Sequence, residues 1–164
     1  MGMYCTLRRI PMGKLESYLE NSNLLKEDFY SNEVSEIPQL DIDKSWDGII
    51  FLLTGKSHNN VGQNILASTI LGTASFDESL NLGYGAPRYL LPEEVKSINN
   101  KIKILNVEDL KFRFNAGQMI EQDVYPDIWE DQRSFEYLQE YFVKIQSFYQ
   151  HASWANEAIV ITIL

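Results

Sequence analysis

Apolar residues step by three and four positions along the C-terminal part of the chain, at Phe135, Leu138, Phe142, Ile145, Tyr149 and Ala152. This spacing keeps one face of a helix apolar and predicts the longest helix, from about Asp131 to His151. The following "NEAIVITIL", residues 156–164, is continuously apolar and β-branched, and reads as a buried final strand. At the other end, "MYCTLRRI", residues 3–10, is β-rich and stops at Pro11, which suits the first turn of a helix. Leu15, Tyr18 and Leu19 give that helix its apolar face; "NSN" at 21–23 breaks it, and Ser22 or Asn23 can cap a second short helix through Phe29. The polar run 31–40 predicts a loop.

The central part of the chain alternates helices and turns. In "LDIDKSWDGIIFLLTG", residues 40–55, Trp46, Ile49, Ile50 and Leu53 form an apolar stripe, Asp41 or Asp43 can cap its start, and Gly55 suits its end. "ILASTILG", residues 65–72, fits a short helix or a buried strand. A strand is expected near Arg88 to Leu91. A helix follows from Pro92, with Val95, Ile98, Ile102 and Leu105 on its buried face. Asn106, with Asp109 three residues on, starts another through about Phe114. Asn115 to Gly117 is a break, and "MIEQDVYPDIW" holds a helical turn and then a loop around Pro126. The expected result is a helix-rich α/β fold in one domain, residues 1–164. Its two terminal strands lie side by side in a small mixed sheet, with helices on both faces.

Composition narrows the function. The 164 residues are 45% hydrophobic, enough for a core without staples. Cys5 is the single cysteine, so no intrachain disulfide and no cysteine-built zinc site can form. A net charge of −9 repels phosphate backbones, so an extended nucleic-acid surface is not expected. The N-terminus has neither a signal peptide nor a spanning segment, and a cytoplasmic location is expected.

Familiar motifs are incomplete. "TGKS" at 54–57 lacks the earlier glycine of a phosphate loop, since that position holds Ile50. "GYGAPR" at 83–88 lacks the third glycine of a dinucleotide fingerprint. With only His58 and His151 available, no cofactor or metal is expected. What remains is a set of ligand-binding candidates. Arg88 offers a rigid fork of donors for an anion, or else sits in an internal ion pair. Tyr84 and Tyr89 flank it. Asp43 and Asp47 lie around Trp46 and could act as acid or base, or only begin the helix. Tyr125 stands in an aromatic loop.

Several of these segments occur together in a recognisable combination. Lys44, Trp46 and Leu52 to Gly55 form one; Gly83 to Gly85 with Arg88 to Leu90 form the other; "VYPDIW" and the long aromatic helix follow. The chain resembles the YfbM-like family of uncharacterised bacterial proteins, over nearly its whole length. The resemblance implies a three-layer α/β/α sandwich and no particular activity. Two functions are therefore carried forward. One is a non-catalytic module for a basic protein partner, as immunity-type proteins are. The other is an enzyme or sensor for a small anionic ligand, held by Arg88 with Trp46, Tyr84, Tyr89 and Tyr125, and with Asp43 or Asp47 for acid–base work.

Overall fold

The structure is a computed structural model and describes residues 2–31 and 36–164. Five strands form one sheet: β1 (Cys5–Ile10), β2 (Gln39–Asp41), β3 (Ala74–Ser75), β4 (Arg88–Leu90) and β5 (Ala158–Ile163), in the order β2-β1-β5-β4-β3. The terminal strands are central neighbours, paired from Cys5 opposite Ile163 to Ile10 opposite Ala158. Every pair is antiparallel, where the sequence led us to expect a mixed sheet. Parallel neighbours need a crossover returning to the same end of the sheet. Here β3 and β4 are joined directly by the loop through residues 76–87, which reverses the chain.

Alternation along the strands separates two cores. Cys5 and Leu7 of β1 and Ile159 and Ile161 of β5 enter the larger one. Ile10, Ala158 and Val160 enter the smaller one on the opposite face. The smaller core is closed by α1 (Met12–Glu20) and α2 (Ser22–Tyr30), through Leu15, Tyr18 and Leu25, and by Phe76, Leu80 and Leu82. The larger core is built by α3 (Trp46–Thr54), α4 (Ser68–Leu71), α5 (Pro92–Ile102), α6 (Val107–Arg113), α7 (Ala116–Glu121) and α8 (Ser134–Trp154). Helices thus cover both faces of the sheet. Among the described residues no helix is long and apolar enough to cross a membrane.

The centre of the larger core is α3, buried on all sides from Trp46 to Leu53. Gly48 lets it approach α8 and the Trp129 loop: a Cβ there would lie 2.5 Å from Trp129 and 2.7 Å from Leu138. Its end is the expected left-handed Gly55, at φ 74°. Its start differs from expectation. Asp41 closes the edge strand β2, and its carboxylate accepts the Asp43 N–H (2.7 Å), so neither aspartate caps the helix. The polar run predicted as loop therefore ends in a strand. In α2 the capping side chain is Asn21, one residue before Ser22 and two before Asn23. Residues 65–72 resolve as a loop and the short helix α4. The long helix starts at Ser134 because Asp131 is held in the turn before it, where its carbonyl accepts the Ser134 hydroxyl at 2.7 Å.

Candidate functional site

The seven candidate residues are distributed over two places. Trp46, Asp47 and Tyr125 meet at the start of α3. Trp46 and Tyr125 stack with ring centroids 5.7 Å apart, and His58 packs against the indole at 4.8 Å. Asp47 lies beneath them, wholly buried. One of its oxygens accepts the His58 backbone N–H (2.7 Å) and the other the Tyr125 backbone N–H (2.9 Å). His58 Nδ1 lies 2.8 Å from the second oxygen, an ion-pair contact when the imidazole is protonated. The N-terminal segment seals the group: the Met3 N–H donates to the Tyr125 hydroxyl (2.8 Å), and the Trp46 Nε1–H donates to the Met3 carbonyl (3.2 Å). Asp43 lies close by in sequence, at φ 51°, and its carboxylate accepts the Tyr137 hydroxyl at 2.8 Å. Burial, and then that bond, raise the Tyr137 pKa above the usual tyrosine value.

This arrangement ties chain segments together. The Asp47 carboxylate joins α3 to the loop after it and to the loop around Pro126. A buried carboxylate accepting two backbone N–H groups is a strong fastener.

Arg88 stands elsewhere, on β4. Neighbouring residues on a strand point to opposite faces, so Arg88 and Tyr89 separate. Tyr89 packs against Phe76, with centroids 4.9 Å apart, at the smaller core. Tyr84 is exposed, its backbone N–H held by the Ile163 carbonyl (2.9 Å). Arg88 is half-buried. Its Nε–H donates to the Leu71 carbonyl, and Nη1 donates to the Ser75 hydroxyl at 2.9 Å. Among the described residues it forms no ion pair, and Nη2 has no protein partner.

Arg88 lines a cleft of about 670 Å³, together with Gly62 to Ile65, Ala67, Ser68 and Leu71 to Thr73. That volume falls within the usual range for small-ligand sites. Gly72 brings the loop after α4 onto β4. Its φ is 64°, and a Cβ there would lie 3.1 Å from both the Arg88 Cβ and the Tyr89 carbonyl. Apart from Arg88, the sequence reading missed these lining residues. The only available signal was the amide-rich "GQN" beside an apolar run, a common loop composition. Among the described residues no group of three or more histidine, cysteine, aspartate or glutamate side chains could hold a metal ion.

Comparison with known proteins adds a family and a fold. The model of a family described as "Domain of unknown function (DUF1877)" matches residues 1–162. Protein YfbM of Escherichia coli strain K12 is 26% identical over 129 residues, covering 78% of this chain and 75% of that protein. The crystal structure of YfbM from Escherichia coli, described as a protein of unknown function, superposes with a TM-score of 0.77. That superposition covers 98% of this chain and 99% of the other at 22% identity, and carries the fold alone.

Proposed function

Since the chain belongs to the family of unknown function DUF1877, we propose its role from its own geometry: a binding domain for a small anionic ligand, seated in the Arg88 cleft. One observation carries the reading. In a chain of net charge −9, the guanidinium that lines this cleft is held by a carbonyl and a hydroxyl, and among the described residues no carboxylate neutralises it. An arginine so placed is a fixed, always-charged donor with free N–H groups. The cleft lining is otherwise amide, hydroxyl and apolar, without a carboxylate, imidazole or thiol to exchange a proton. Binding without turnover is the simpler chemistry for such a lining, in a cytoplasmic setting.

A thermal-shift screen of small anionic metabolites tests this. A ligand at about 100 times its Kd should raise the melting temperature by about 5–10 °C. The rise should vanish in Arg88→Gln. A screen in which every stabilising anion acts equally on that variant would remove the reading.

The charge of −9, together with Phe112 and Trp154 standing 92% and 88% exposed, favours a second reading, a basic protein partner. Capture of such a partner should weaken as salt rises. A partner held equally well at low and high salt would count against it.

A further inference from the structure

We infer that the Arg88 cleft takes a small monocarboxylate with an apolar body, in preference to a phosphorylated compound. The inference rests on the binding reading above and specifies the ligand's chemistry. It follows from which donors around the cleft remain free. A phosphoryl group presents three strong acceptor oxygens and up to two negative charges, and needs several donors or cations around it. Here the donors of α4, and of the turn that leads from it to β4, are already engaged. The backbone N–H groups of Ser68, Leu71, Gly72 and Thr73 are bonded to the carbonyls of Asn64, Ala67, Ser68 and Tyr89, at 2.9–3.1 Å. The Ser68 hydroxyl donates to the Asn64 carbonyl (3.3 Å), and the Thr73 hydroxyl to Glu94 (2.7 Å).

What remains is the end of one guanidinium, the side-chain amides of Gln63 and Asn64, and the backbone N–H groups of Gly62 to Ile65 and of Ala67, which have no protein acceptor among the described residues. A guanidinium has five N–H groups; the Leu71 carbonyl and the Ser75 hydroxyl occupy two, leaving those on Nη1 and Nη2. The two guanidinium nitrogens match the two oxygens of a carboxylate. Charge points the same way. Among the described residues Arg88 is the one cation in the lining, Glu94 stands behind Thr73, and the chain's overall field is negative. A second negative charge on the ligand would meet repulsion with no further cation to offset it. Ile65, Ala67 and Leu71 supply an apolar wall for the rest of the molecule.

Four probes separate the possibilities: hexanoate, its near-isostere hexanamide, hexyl phosphate and inorganic phosphate, each titrated into ¹⁵N-labelled protein and followed by amide and Arg88 Nε–H shifts. Hexanoate should move resonances of residues 62–73 and Arg88. Hexanamide should bind about tenfold more weakly, the loss of one charge-assisted hydrogen bond. Hexyl phosphate should bind no tighter than hexanoate, and Arg88→Gln should abolish the hexanoate shifts while leaving the other amide resonances in place. Tighter binding of either phosphate probe would overturn the carboxylate assignment and leave the anion-binding reading standing. Equal binding of hexanamide, or no binding by any of the four, would overturn both.

Discussion

Asp47 illustrates how a residue that looks chemical in sequence can be architectural in the fold. It stands one position after Trp46 in an acidic cluster, which admits both acid–base work and a helix start. Two of its partners fasten the fold. They are the backbone N–H groups of His58 and Tyr125, 11 and 78 residues away, and nothing local in the sequence announces the second. Removing the carboxylate leaves those donors buried without an acceptor. Asp47→Ala should therefore lower the unfolding free energy by about 3 kcal/mol, read as a lower urea midpoint. A change below about 0.5 kcal/mol would mean that the donors find other acceptors. Arg88 shows the converse. Its residue type was legible as an anion binder, but whether a carboxylate of the same chain neutralises it depends on the fold. Leu71, the last residue of α4, and Ser75, on the edge strand β3, are its actual partners, and neither residue type announces that role.

Legibility among the elements follows periodicity and capping. The apolar faces of α5 and α8 repeat every three or four residues, and α6 opens with a reciprocal pair: Asn106 accepts the Asp109 N–H, and Asp109 accepts the Asn106 N–H, both at 2.9 Å. Such elements were placed to within about three residues, the ordinary uncertainty of helix ends. Strand β2 was not found, because three residues carry no period and its pairing to β1 is made by the backbone. The link between α5 and α8 was also invisible. Gln146 of α8 donates to the carbonyls of Ile102 and Leu105, both at 2.8 Å, and so caps the end of α5 from another element. Gln146→Ala should destabilise the protein by about 1–2 kcal/mol. Amide exchange should quicken at the C-terminal turn of α5 before it does in α6. Uniform acceleration across the chain would show that the cap is not local.

At the scale of the whole molecule, the two terminal strands were readable as neighbours because a β-rich run stands at one end of the chain and an apolar, β-branched run at the other. Their alternation sets two cores on opposite faces. The cleft was not readable, since it forms where the 62–65 loop, α4 and β4 converge, and convergence is a property of topology. The helices also bury phenols at several points. The hydroxyls of Tyr18, Tyr137 and Tyr149 donate to Asp28, Asp43 and the Thr69 carbonyl, and burial leads the causes that raise each pKa above the usual 10.0. In the unfolded chain these groups ionise near that usual value. Their contribution is thus complete below about pH 10 and lost as pH rises beyond it. Urea midpoints should hold steady from about pH 7 to 9 and fall above about pH 10. Tyr149→Phe should weaken that fall while reducing stability at neutral pH by about 1 kcal/mol. A flat profile through about pH 12 would contradict the burial of the phenols.

The most direct test of a ligand seat at Arg88 is a crystal structure determined in saturating hexanoate. The account predicts its carboxylate on the Arg88 guanidinium and its chain along Ile65 and Leu71. Hexanoate bound elsewhere, with the Arg88 cleft empty, would contradict it.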